Sequence, residues 1–385
     1  MNSPQFDIAI IGAGISGLTC AQALQTAGYT VVILEKSRGV GGRVATRRIN
    51  QDPVDHGARY LEPTGTHIQN LIQSLQQQNS LILWTDTVYQ FKDNQLQSPL
   101  YQSPKYIAPN GMNTVGKSLA KDLEVWLNRR VINLKNTPNK TWHLLLEQTH
   151  RTANDKPLAV QAKLVVIAIP APQALMLLEP LENQIDRDIL SQVRSVEYDP
   201  CITVMAGYST EQQSAFSHRQ IDWKAVSFPD DKILDWVGLD SSKRILSQPP
   251  TLVIQSNANF ANKYLDTVDL EPIGKQLIQA AATHLMPELN HPEWMKVHRW
   301  RYAFCPQSLP SPCLTTTVPL PLVCAGDWCG GQQAVRPRRF AIAQSQPPVK
   351  TGGTRTKRIE GALASGNAAA DWIQEYFNSI ISSSK

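Results

Sequence analysis

Apolar residues open the chain in a pattern that changes period. Residues 6–11, Phe-Asp-Ile-Ala-Ile-Ile, read as a buried strand; residues 15–27 carry apolar positions at helical spacing and stop at Gly28; residues 29–34 return to a strand. Two short strands joined through one helix make a βαβ unit, which favours a parallel pair with a right-handed crossover. Residues 163–169 predict a further buried strand, closed by Pro170-Ala171-Pro172, and residues 321–325 predict another. A helix rich in small residues is expected over 359–376. Between these lie segments of different character, 81–96 and 195–302. There, short runs such as 201–205 and 252–254 read as antiparallel strands, broken by a helix near 271–285. The order implies a discontinuous nucleotide-binding domain, 1–75, 104–180 and 305–385, with a second mixed-sheet domain, 76–103 and 181–304, inserted twice. No internal repeat is visible.

Composition narrows the class. At 385 residues, 42% hydrophobic and 18% charged, the chain can bury a large core, which excludes a fully disordered protein. Six cysteines are too few to staple it. No apolar run reaches the roughly 18 residues of a spanning helix. No secretory leader is evident either, so a reduced, cytoplasmic setting without membrane association is expected. The net charge of +5 is local. Residues 332–357 carry six basic residues, Arg336, Arg338, Arg339, Lys350, Arg355 and Lys357, and no acid, leaving 31 basic and 32 acidic residues elsewhere. The body is nearly neutral, and no distributed basic face exists to follow a nucleic-acid backbone.

The chemistry begins at Gly12-Ala13-Gly14-Ile15-Ser16-Gly17, which follows a predicted strand and opens a predicted helix. In that context Gly12 permits a tight turn, Gly14 lets backbone approach a pyrophosphate, and Gly17 lets helix and strand pack closely. Eighteen residues past Gly17, Glu35 ends the second strand, where a carboxylate can accept hydrogen bonds from ribose hydroxyls and would repel a 2′-phosphate. Glu35-Lys36 leads into a second glycine turn, Gly41-Gly42-Arg43, whose arginine can grip the pyrophosphate from the other side. The glycine pattern alone leaves NAD and FAD open; a second anionic grip suits a permanently held cofactor.

These motifs, with Thr46-Arg47-Arg48 and Asp55-His56-Gly57-Ala58-Arg59-Tyr60, resemble the N-terminal signature of the flavin-containing amine oxidase superfamily, specifically its renalase-like branch. The resemblance runs the length of the chain, through residues 106–112, Asn128-Arg129-Arg130-Val131, Trp236-Val237-Gly238-Leu239-Asp240, His298-Arg299-Trp300-Arg301, residues 325–329 and Arg358-Ile359-Glu360-Gly361-Ala362. It implies an α/β fold with a Rossmann-type, glutathione-reductase-like FAD-binding domain and an inserted substrate domain of mixed antiparallel sheet plus helices. It further implies FAD bound by Gly12, Gly14, Ile15, Ser16, Gly17, Glu35, Lys36, Gly42 and Arg43, with Val131 near the adenine. Gly57, Ala58 and Arg59 would lie against the isoalloxazine, Asp327 would face the ribityl or pyrophosphate, and Gly361-Ala362 would open a helix whose positive end faces the flavin. Catalytic candidates are His56, Arg59, Tyr60, Gln255 and Trp300.

The implied reaction is an FAD-dependent oxidation of a small donor, the 2- or 6-dihydro isomers of NAD(P), with dioxygen as acceptor and hydrogen peroxide as product. Two departures stand out. The basic segment 332–357 separates motifs that are nearly adjacent in relatives, and a surface loop is expected there because lengthening a loop costs only about 0.6 kcal/mol per doubling. Gln255 stands where relatives often carry histidine, and it cannot hold a proton. An amine-oxidising or carotenoid-type enzyme is the alternative within the fold, with Lys296 as the candidate lysine, and a flavin-binding module without turnover is the alternative outside it. Cysteine and histidine spacing shows no metal site.

Overall fold

The computed structural model describes residues 3–148, 158–217, 222–246, 248–330 and 357–383. The chain divides into two compact units. One comprises residues 1–42, 119–197 and 305–385, the other 43–118 and 198–304.

The first unit is built on an eight-stranded sheet. At its centre five strands run parallel in the order Leu322–Cys324, Ala159–Ile167, Gln5–Ile11, Val31–Leu34, Val125–Trp126. Ile8, Ile10, Val32, Ile33 and residues 164–167 are fully or almost fully buried, as expected of strands covered on both faces. Strands Arg129–Asn136 and Trp142–Gln148 extend the sheet antiparallel, and Leu314–Thr316 pairs antiparallel with Leu322–Cys324. Helix Ile15–Thr26 follows the opening strand, as its periodicity predicts. The closing helix, Lys357–Ser383, is longer than expected. Apart from its last residue, the basic segment 332–357 lies outside the described residues.

The second unit carries a seven-stranded mixed sheet. Its order is Trp294–Phe304, Asp199–Gly207, Thr251–Ser256, Leu234–Leu239, Ala225–Ser227, Tyr89–Lys92, Gln95–Gln97, with one parallel pairing, between Ala225–Ser227 and Tyr89–Lys92. The period-2 pattern sends Ile202, Val204, Val237 and Ile254 to one face. There they pack with Ile273, Leu277, Ile278 and Ala281 of helix Glu271–His284 to form the core.

The unit boundaries depart from those expected. Residues 43–75 and 104–118 belong with the second unit, because Asp55 ion-pairs with Lys243 and Arg244 and strand Lys105–Ile107 pairs with Ile82–Thr85. Residues 181–197 belong with the first, where helix Arg187–Arg194 packs against Ala171–Leu178.

Candidate functional site

In the first unit the glycine turn lies where the sequence implies, between strand Gln5–Ile11 and helix Ile15–Thr26. Gly12 adopts φ +105°, and a Cβ there would sit 2.7 Å from the Ala168 carbonyl oxygen. A Cβ on Gly17 would fall 2.2 Å from the Gly12 carbonyl oxygen, so the helix can approach the strand only with glycine at that position. The space beside Gly14 is open, and the second glycine turn closes on the first, with Gly41 N–H donating to the Ala13 carbonyl at 2.7 Å.

Glu35 ends strand Val31–Leu34 and is buried. Its two oxygens accept from the backbone N–H groups of Ala13 and Ser37, each at 2.8 Å. Each oxygen keeps a second lone pair, so the carboxylate is fixed in orientation and still able to accept from hydroxyls. The Glu35 carbonyl accepts from Arg129 N–H at 2.8 Å, which brings Val131, at a bulge in the neighbouring strand, to the same end of the sheet. Lys36 donates to Gln173 at 3.0 Å. Among the described residues the buried Ser16 hydroxyl and Asn128 side-chain oxygen have no hydrogen-bond partner, and Ser16 stands on the helix end that attracts anions. A tight glycine turn, an open approach at Gly14, an unpaired buried hydroxyl and an oriented acid fit a dinucleotide.

The turn holding Asp327 is buried and is bound to the closing helix by Gly326 N–H donating to Ser365 Oγ at 3.0 Å, and to the segment just past strand Ala159–Ile167 by Trp328 Nε1 donating to the Ile169 carbonyl at 3.1 Å. Contrary to the expectation, Gly361 and Ala362 do not open that helix. Among the described residues it begins at Lys357, so at 3.6 residues per turn they stand one turn inside it.

The second unit assembles the catalytic candidates on the sheet face opposite the apolar core. Strand register places His298, Thr203, Gln255 and Trp236 in one row across four adjacent strands. His56, Gly57 and Arg59 meet this row. Gln255 Nε2 donates to the Gly57 carbonyl at 3.0 Å, and its Oε1 accepts from Arg59 Nε at 2.7 Å. Arg59 also pairs with Asp235, and its guanidinium lies 4.8 Å from the Trp236 ring centroid. Gln255 is therefore a clamp on the 57–59 segment.

His56 stacks on Trp300 at 5.4 Å, and Trp300 Nε1 donates to the His56 carbonyl at 2.9 Å. His298 stands edge-on to both rings, at 5.0 and 4.4 Å. Burial, then the neighbouring His298 and Arg47, push the His56 imidazole down to about 4. Burial and Arg47 do the same to His298. His56 is buried, whereas His298 is only partly so. Tyr60 packs beside Trp84 near Lys105, and Arg43 donates to the Ala303 carbonyl at 3.3 Å and lies 5.9 Å from the Tyr198 ring. Lys296 is exposed.

Sequence reading missed the anchor of this segment. Asp55, Asp240, Lys243 and Arg244 form an ionic tetrad whose side chains are all at most 2% exposed. Lys243 Nζ lies 3.3 Å from Asp55 and 2.8 Å from Asp240. Thr46 Oγ1 and Met112 N–H also donate to Asp55. Burial pushes the Asp55 carboxyl up, but Lys243 and Arg244 outweigh it and hold it below the usual carboxylate range. The signal was faint: Asp55 and Asp240 both fall in singled-out motifs, yet 185 residues separate them.

Among the described residues no group of histidine, cysteine and acidic side chains could hold a metal ion.

Comparison with known proteins places this geometry. Residues 10–75 match the model for an NAD(P)-binding Rossmann-like domain, and residues 89–374 match that for flavin-containing amine oxidoreductases. Renalase from Mus musculus is 25% identical over 336 residues, 83% of this chain and 92% of that protein. Flavin-containing amine oxidase B from Bos taurus is 41% identical, but over only 75 residues, 19% of this chain and 14% of that protein. Among solved structures, putrescine oxidase bound to putrescine superposes with a TM-score of 0.65 at 15% identity, covering 97% of this chain and 100% of that one. Cyclohexylamine oxidase from Brevibacterium oxydans gives 0.62 at 13% identity, with 96% and 100% covered. At such identities these two establish a shared fold.

Proposed function

The chain belongs to the flavin-containing amine oxidoreductase family, on its renalase-like branch, and is an FAD-dependent oxidoreductase; from that premise we propose that its donor is a dihydronicotinamide dinucleotide carrying its hydride at the wrong ring position. The 2- and 6-dihydro isomers would be returned to NAD(P)+, with dioxygen as final acceptor and hydrogen peroxide as product. Bound FAD supplies the two-electron acceptor.

The chain's own part is to hold and orient. Gly12, Gly14, Ile15, Ser16, Gly17, Gly42 and Arg43 would receive the pyrophosphate, Glu35 the ribose hydroxyls, and Val131 the adenine side. Asp327, Gly361 and Ala362 would lie toward the flavin end. Gly57, Ala58 and Arg59 would form the surface against the isoalloxazine, kept rigid by the Gln255 clamp and by the tetrad behind Asp55. Tyr60 and Trp300 would bound the donor site.

One observation carries the choice of donor. The polar row itself offers no strong base: Gln255 cannot titrate, and His298 and the neighbouring His56 are held neutral with low basicity. Hydride loss from a dihydronicotinamide ring needs positioning and no proton transfer, so such a face suffices. An amine donor is the second reading, favoured by the amine oxidase relatives and by the names of the fold neighbours. The candidate lysine of that reading, Lys296, shares the sheet face with His298 but is exposed and stands outside the row.

All six cysteines are free, and among the described residues no helix is long and apolar enough to cross a membrane.

The test is the visible spectrum of the anaerobic protein before and after addition of an isomeric dihydro-NAD(P) mixture. Bleaching of the flavin by the mixture, and not by ordinary NADH or simple amines, is expected. Bleaching by amines alone would transfer the assignment to the second reading, and a flavin that stays oxidised with every donor would remove both.

A further inference from the structure

The row His298, Thr203, Gln255, Trp236 differs from residue to residue in how much hydrogen-bonding capacity is already used. Gln255 is committed to Gly57 and Arg59. Thr203 is fully buried, and Trp236 is 1% exposed beneath the Arg59 guanidinium. His298 is partly exposed, and its ring nitrogens have no hydrogen-bond partner among the described residues. Its orientation is nonetheless fixed. Trp300 meets it edge-on at 4.4 Å and His56 at 5.0 Å, while the bond from Trp300 Nε1 to the His56 carbonyl locks those two rings together. An oriented imidazole with free nitrogens, beside a spent glutamine on a buried polar sheet face, is a recognition element.

Resting on the donor reading above, we propose that His298 is a specificity-determining residue that accepts a hydrogen bond from the carboxamide N–H of the donor's nicotinamide ring. Loss of a hydride, hydrogen and electron pair leaving together for the enzyme's two-electron acceptor, turns the neutral dihydro ring into a pyridinium cation. That positive charge makes the carboxamide N–H a stronger donor, so a neutral imidazole acceptor holds the charge-developing ring more tightly than the starting ring. Such an interaction favours the reaction itself as well as binding. An imidazolium could not accept this bond and would repel the cation.

The test compares NAD+ with its 3-acetylpyridine analogue, which carries the same cationic ring and carbonyl but no N–H. Each is titrated into the flavin-loaded protein, and binding is followed by perturbation of the visible flavin band. His298→Phe should weaken NAD+ about tenfold, the worth of one hydrogen bond to a charged partner, and leave the analogue within about twofold. His298→Gln, which restores an acceptor, should recover part of the preference. Equal weakening of both ligands by His298→Phe, or of neither, would overturn the proposal, and so would failure of His298→Gln to favour NAD+ over the analogue. If the wild-type protein binds neither dinucleotide, the donor reading itself falls, and that result is distinguishable because it appears before any substitution.

Discussion

Lowering the pH from 7 to 5 should destabilise the second unit through His56 and His298. Both imidazoles stand at about 4 in the folded protein, against 6.5 for an unperturbed histidine. Between those values the unfolded chain binds more protons than the folded one, so the stabilisation is complete above about pH 6.5 and drains away as the pH falls toward 4. With a folded value near 4 and an unfolded value near 6.5, each ring treated independently accounts for about 2 kcal/mol of lost stability at pH 5. The pair together accounts for about 4 kcal/mol as an upper figure. Urea denaturation followed by tryptophan fluorescence, with Trp300 and Trp236 as nearby reporters, measures this at pH 7 and pH 5 for the wild type and for His298→Gln. The variant should lose about half as much on acidification. An identical loss in both proteins, or none in the wild type, would refute the claim that burial keeps these rings neutral.

Four further outcomes follow from the geometry. Gly17→Ala should abolish flavin retention, seen as loss of the visible absorbance ratio after purification, because its Cβ would meet the Gly12 carbonyl oxygen at 2.2 Å and backbone cannot yield. Lys243→Met strips a cation from the tetrad and leaves an excess carboxylate in the interior, at a cost of about 3–5 kcal/mol read as a large fall in melting temperature. The pH dependence of Asp55 has the same direction as that of the histidines but a lower range: its stabilisation is present above its unfolded value and is lost only as the pH falls below about 4. Lys296→Ala should leave the rate of anaerobic flavin reduction within about twofold, since an exposed lysine has little to lose; a large fall would revive the amine reading.

Local signals carried the first unit into view. The period change at residues 6–34, the glycine spacing and Glu35 are all contiguous, and the observed strands and helix follow them closely. The second unit was legible as mixed sheet from its short alternating runs, but not in its pairing, because register between strands far apart in sequence leaves no mark on either strand alone. The same limit hid the row that joins His298 to Gln255, and with it the fact that Gln255 is spent on Gly57 and Arg59. It also hid the tetrad, where two acids and two bases read as ordinary surface charge until the fold buries them together. The helix start expected at Gly361 misplaced the boundary because a motif marks where residues sit, whereas the backbone decides where the first turn closes.

The closing helix makes the glycine turn depend on sequence far from it. A Cβ on Gly366 would lie 2.4 Å from the carbonyl oxygen of Ser16, and Ser365 Oγ receives Gly326 N–H, so the glycine turn at 12–17 is walled by residues about 350 positions further along the chain. Removal of the closing helix should therefore leave a polypeptide that carries the glycine fingerprint without the wall behind it, so the motif and the structure that shapes it are separable in sequence.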